Sequence, residues 1–175
     1  MVKHFLLASL IILILLPLPT TTWAANTEIL GAINKTCIPA AEMTLGGVRL
    51  GDLRALVESR LGAPNPRSDQ DSAGMLSFQG LSIRLHASRV QSVIATSSKW
   101  STPAGIRPGL SESQVGAILG FDLDSIEPPH SKSPTGYHIH RCIEPDEQID
   151  VEQYIRLELS TDRTIRAVEI FWVAP

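Results

Sequence analysis

The chain has 175 residues, a formal net charge of −3 and only two cysteines, Cys37 and Cys142. That length allows one medium domain or two small ones. A mildly acidic balance without a basic block excludes the electrostatic footprint of a nucleic-acid binder.

Lys3 and His4 precede an apolar run from Phe5 to Leu16, Pro17 and Pro19 break it, and Thr22, Ala24 and Ala25 follow. This layout predicts a signal peptide over 1–24, cleaved near Ala24. The run is too short for a span, which needs about 20 apolar residues. The expected product is periplasmic or secreted, with no membrane span in the mature protein and no cysteine at the cleavage point for a lipid. Export favours oxidation, so Cys37 and Cys142 are expected to pair. Residues 25–42 form an N-terminal arm, in which Ile29, Leu30 and Ile33 have helical spacing and Pro39 ends any helix. The sequon Asn34-Lys35-Thr36 reads as a turn.

Gly47-Val48-Arg49-Leu50-Gly51 then leads into Val57 and closes on Leu61-Gly62. Fifty-eight residues later, Gly105-Ile106-Arg107-Pro108-Gly109 leads into Val115 and closes on Leu119-Gly120. The shared, gapless offset predicts two copies of one supersecondary unit, spanning 43–98 and 99–175. In the first, Asp52 is the expected N-cap and Leu53, Leu56, Val57 and Leu61 the expected apolar stripe. Gly62 and Pro64 stop the helix. A polar loop, 65–74, precedes strands marked by Met75, Leu76 and Phe78, by Leu81, Ile83 and Leu85, and, after a turn at 87–89, by Val90, Val93 and Ala95. Trp100 is expected to plug the joint between units.

In the second unit, Ser111-Glu112-Ser113-Gln114 reads as a capping box, with Val115, Ile118 and Leu119 as the buried stripe. A longer loop, 121–136, carries Pro128, Pro129 and Pro134. A strand over 137–143 and an acidic loop through Glu144, Asp146, Glu147 and Asp150 follow. The last hairpin alternates Ile155, Leu157 and Leu159 with Tyr154, Arg156 and Glu158, turns at 161–163, and returns through Val168, Ile170 and Trp172. Val90-x-x-Val93 and Ile165-x-x-Val168 break the alternation alike, as a bulge or a turn-packing position would.

The fold class is therefore α+β: two tandem helix-plus-antiparallel-sheet repeats, with about six strands and the helices on one face, leaving the other open. The Gly-Ile-Arg-Pro-Gly motif, the Val-x-x-x-Leu-Gly helix and the Val-x-x-Val hairpin resemble the tandem repeats of β-lactamase-inhibitor-like (BLIP-like) proteins. They are similar also to the small outer-membrane assembly lipoproteins of the BamE (SmpA/OmlA) type. The resemblance covers 43–175 and implies an exported, non-enzymatic protein that works by binding partners. The chain departs from it in lacking a lipobox cysteine and an extra helix before the second copy.

No Gly-x-Ser-x-Gly, His-Glu-x-x-His, phosphate loop or Cys-x-x-Cys occurs. Asp122 and Asp124 read as solvated acids rather than a catalytic pair, and no cofactor is expected. On a strand, His138, His140 and Cys142 would share a face, and with His130 could hold zinc or copper if the thiol were free; this small periplasmic metal-binding protein is the alternative reading. The preferred one is recognition of an unidentified extracytoplasmic protein by the face opposite the helices, through Arg84, His86, Tyr154, Arg156, Glu158, Glu169 and Phe171. With seven aromatics after residue 24, an aromatic-rich inhibitor surface is not expected.

Overall fold

A hairpin with a two-residue turn lies at the centre of the first three strands of the main sheet. Ala87 and Ser88 both take positive φ (47° and 63°), the twist that a two-residue turn needs to match two right-twisted strands. They join β4 (Leu81–His86) to β5 (Arg89–Ala95), and β3 (Met75–Phe78) pairs on β4's far side. The computed structural model describes residues 36–65, 74–126, 132–133, 135–143 and 151–173. The expected signal peptide, most of the arm, the tip of the polar loop, Pro128, Pro129, His130, Pro134 and the acidic loop lie outside these residues.

The remaining strands are β1 (Thr44–Leu45), β2 (Val48–Arg49), β6 (Lys132–Ser133), β7 (Gly136–His140), β8 (Glu152–Leu159) and β9 (Ile165–Val173). Seven of them form one antiparallel sheet in the order β3-β4-β5-β9-β8-β7-β6, while β1 and β2 make a separate hairpin. The expected count of about six was short because β6 pairs over only two residues and carries no alternation to read. The mixed content is α+β, dominated by strands.

Register aligns Ile83, Val93, Ile170, Ile155 and Ile139 across five neighbouring strands, and all five are fully buried. Because side chains alternate along a strand, this row fixes one face of the sheet as the core. Leu45 and Val48 of the β1–β2 hairpin, Val57 and Val115 join the same buried cluster, and β1 lies against β5 and β9. Gly46, at the tip of that hairpin, has φ +60° and faces the Trp100 ring, which a Cβ would meet at 2.7 Å. Trp100 donates from its indole nitrogen to the Gln79 carbonyl (2.8 Å), so it clamps two turns of the first half rather than plugging a joint between halves.

Helices α1 (Arg54–Leu61) and α2 (Glu112–Leu119) have eight residues each, about two turns. So short a helix buries little: only Val57 in α1 and Val115 in α2 are buried. The expected stripes are corrected accordingly, since Leu53, Leu56 and Ile118 are 50%, 39% and 38% exposed. Asp52 is not the cap of α1. Leu53 holds that place without a side-chain bond, and the Asp52 carboxylate instead accepts from the Arg49 N–H (3.0 Å) and the Arg60 guanidinium (2.7 Å). In α2 the capping box forms in full: Gln114 N–H donates to Ser111 Oγ and Ser111 N–H to Gln114 Oε1. Gly120 ends α2 in the left-handed conformation.

Each helix start is stitched to a hairpin by the same three bonds. Gly51 N–H donates to the Val90 carbonyl (2.8 Å), Val90 N–H to Asp52 (2.9 Å) and Arg54 N–H to Ser88 (3.0 Å). Gly109 N–H donates to Ile165 (2.8 Å), Ile165 N–H to Leu110 (2.8 Å) and Glu112 N–H to Arg163 (3.3 Å). Both hairpins also carry a bulge at matching places. Leu85 pairs with Val90 while Arg84 pairs with Ser92, and Leu159 pairs with Ile165 while Glu158 pairs with Ala167. The extra residues, Gln91 and Arg166, let Val90 and Val93, and likewise Ile165 and Val168, all stay buried.

Candidate functional site

The residues expected on the open face alternate with the core row and so share its opposite side. Two cross-strand rows carry most of them. One runs Arg84, Ser92, Phe171, Tyr154, His140; the other runs Ser82, Ile94, Glu169, Arg156, His138. Glu158 lies next along β8 on the same side. His86 stands apart: its ring meets Trp172 edge-on at 6.2 Å.

Rings line the first row. Phe171 and Tyr154 stack with centroids 5.3 Å apart and planes 15° off parallel, and His140 tilts onto Tyr154 at 4.5 Å. His138 reaches across to Phe171, edge-on at 6.0 Å. Such ring pairs contribute about 0.5–1.5 kcal/mol each beyond area burial. The Tyr154 hydroxyl donates to the Glu152 carboxylate, which, with some burial, pushes the phenol up to about 12; it stays protonated.

Charges fill the second row. Arg156 bridges Glu169 at 2.6 Å and Glu158 at 3.3 Å, and Arg166 meets Glu158 at 3.2 Å. Burial raises the Glu169 carboxyl above its ordinary value although Arg156 pulls it down, so desolvation outweighs the ion pair here. Burial, then the Arg156 charge, then His140, hold the His138 imidazole below 6.5. No described family, no curated protein and no solved structure matches this chain.

Cys142 lies just beyond β7 and is bridged to Cys37, with Cα atoms 5.0 Å apart. The bond consumes the thiolate that a His138–His140–Cys142 metal site would need. No group of three His, Cys, Asp or Glu side chains among the described residues is placed to hold a metal ion. The bridge holds the segment at Ile38 beside β7: Ile38 N–H donates to the His140 carbonyl (2.8 Å), and Cys142 N–H to the Ile38 carbonyl (2.7 Å). Sequence reading missed this parallel bridge because a single apolar residue carries no period.

Asp122 and Asp124 lie on a shallow groove of about 610 Å³ along α2, with Glu112, Gly116 and Phe121. Glu112 is held by Arg163 (2.5 and 2.6 Å) and by the buried Tyr137 hydroxyl. Asp122 caps the following turn by accepting from the Asp124 N–H (2.9 Å). These bonds tie α2 to β7 and to the last hairpin.

The lowered His138 value gives a signed prediction. The unfolded chain takes up this proton more readily than the folded one, so His138 costs stability as pH falls from 6.5 to its folded value. Glu169 acts in reverse, adding stability as pH falls through its raised value towards 4.5. Urea unfolding measured from pH 7.5 to 5 should show a contribution from His138 that declines below 6.5, and His138→Gln should flatten that decline. An unchanged slope in the variant would remove His138 as its source.

Proposed function

We propose that the chain is an exported, non-enzymatic module that recognises a protein partner through the open face of its sheet, and that it consists of two copies of one helix-plus-three-strand unit. The observation carrying the first part is the combination of a stacked ring row and an ion-paired row on one uncovered face. Arginine and aromatic anchors flanked by polar groups are the residue types that dominate protein recognition. The sheet edges offer less. The Ser77 carbonyl on β3 accepts from the Asn65 N–H (2.8 Å), and β6 together with the Ile38 bridge covers β7. β7 is thereby covered by its own chain and β3 is met at Ser77, so the broad surface left to a partner is the side chains of the open face.

The second part is supported by the matched stitching bonds and matched bulges, and by the seam. Val93 pairs with Ile170 and Ala95 with Val168. Val93 follows Val90 as Val168 follows Ile165, so the two pairs exchange equivalent places, as across a two-fold axis. This is the arrangement that the resemblance to β-lactamase-inhibitor-like and BamE-type repeats implies. Export is supported by the disulfide, which persists in oxidising compartments. No described helix is long and apolar enough to cross a membrane.

Photo-crosslinking tests the face. A crosslinker at position 140, on the ring row, should give a discrete protein adduct in envelope extract, while one at position 55, exposed on α1, should not. Arg84→Ala with Tyr154→Ala should abolish the adduct without unfolding the chain, since neither residue is in the core. Equal adducts from both positions, or an adduct surviving the double substitution, would overturn this reading.

A further inference from the structure

Ile38 ties the segment before β1 to the sheet. It pairs in parallel with Arg141, donating its N–H to the His140 carbonyl (2.8 Å) and accepting at its carbonyl from the Cys142 N–H (2.7 Å). The Cys37–Cys142 bond closes the same contact one residue away. Behind it the chain is loosely held: Pro39, Ala40 and Ala41 are exposed, and the turn Ala40–Glu42 buries no residue. Firm attachment resumes past that turn, where Glu42 accepts from the Ala104 N–H (2.8 Å) and Met43 and Leu45 enter the core. Residues 36–39 thus form a strap with a breakpoint behind it. We propose that the Cys37–Cys142 bond is a redox latch on this strap: a dithiol reductant opens it in the folded protein, and the strap then leaves β7 while the rest of the sheet stays paired.

Access comes first. Cys37 and Cys142 are both partly exposed, so a thiolate reaches the bond without unfolding the chain, and access is one of the factors that set exchange rates. A thiolate of the dithiol attacks one sulfur, forms a mixed disulfide and expels the other cysteine as thiolate. The second thiol then closes on the first, leaving a cyclic oxidised dithiol. The two electrons and two protons it gives up end on Cys37 and Cys142 as thiols. What still holds the strap is two hydrogen bonds and one isoleucine, set against the entropy of ordering 36–39, and these opposing terms are of similar size. The covalent bond therefore decides the balance. The sheet does not depend on it in the same way, since β7 remains paired with β8 from Gly136 to His140 and with β6 at Gly136 and Tyr137. Opening strips only the far end of β7, freeing the His140 carbonyl and the Cys142 N–H as a short unpaired edge. In an oxidising compartment the latch rests closed.

NMR of the whole protein, before and after reduction with excess dithiothreitol and without denaturant, tests the release. The Ile38–Arg141 cross-strand contact should be lost, while the Ile139–Ile155 and Ile155–Ile170 contacts persist. An Ile38–Arg141 contact that survives reduction overturns the latch, because the strap then holds without its bond. Loss of the β7–β8–β9 contacts overturns it as well, because the bond would then hold the whole fold rather than one strap. Cys37→Ser with Cys142→Ser should reproduce the released strap in the absence of reductant, and an Ile38–Arg141 contact retained in that variant counts against the latch. Reduction kinetics test the access. The opening rate should rise in proportion to dithiothreitol and stay flat from zero to about 1 M urea, where a rate limited by global unfolding climbs. A rate that climbs with urea, or that stops responding to dithiothreitol, places the bond out of reach in the folded protein and overturns the proposal.

Discussion

Replacing Cys37 and Cys142 with serine is expected to lower the unfolding free energy by about 4–5 kcal/mol, the largest single loss available outside the core. The cysteines are 105 residues apart, and a cross-link that closes a loop of that order restricts the unfolded chain by about this amount. Against a total of roughly 5–15 kcal/mol for a domain, the loss is severe. In urea, where small proteins lose about 1–3 kcal/mol per molar, the midpoint should fall by roughly 2 M. Reduction of the unsubstituted protein should reach the same midpoint, which separates loss of the bond from any effect of the serines. A drop below about 1 kcal/mol would mean that the bridge closes no loop that the unfolded chain would otherwise explore. What the bridge pins is Ile38, fully buried, which is held against the strand that carries His138 and His140 on the open face proposed for docking.

What the residues disclosed beforehand follows from which interactions are periodic. The last hairpin was legible because Ile155, Leu157 and Leu159 alternate with Tyr154, Arg156 and Glu158, and alternation is what a one-sided sheet imposes. The capping box at Ser111–Gln114 was legible because its two bonds are local in sequence. The α1 stripe misled because a 3.6-residue period names every residue that might be buried, while an eight-residue helix covers only Val57. Asp52 misled for a related reason: a carboxylate that suits a cap suits an arginine equally, and Arg60 lies one helical length away to claim it. Six of the seven residues proposed for recognition could be assigned to a face by counting alone, whereas His86 turns its ring to Trp172. Their grouping into a ring row and a charged row could not, since that depends on register between strands far apart in sequence. Thus His138 and His140 were legible only as metal ligands, whereas register puts the first beside Arg156 and the second on Tyr154.

Two isoleucines at the β5–β9 seam test which face of the sheet is covered. Ile170 pairs with Val93 on the core side and is fully buried, while Ile94 pairs with Glu169 on the open side and is half-buried. Ile170→Ala should cost about 2–5 kcal/mol, the transfer of the lost carbons plus the cavity they leave. Ile94→Ala removes the same atoms from a partly wet surface and should cost about 1 kcal/mol or less. Because Ile170 packs at the β5–β9 pairing in the middle of the sheet, its loss should lower the urea midpoint of a single transition with an unchanged slope. A second transition would mean that the halves unfold separately and that the seam is not what joins them. Equal costs at 94 and 170 would carry the opposite message for function. Something would then already cover the open face of the isolated protein, and a partner would have no uncovered surface on which to dock.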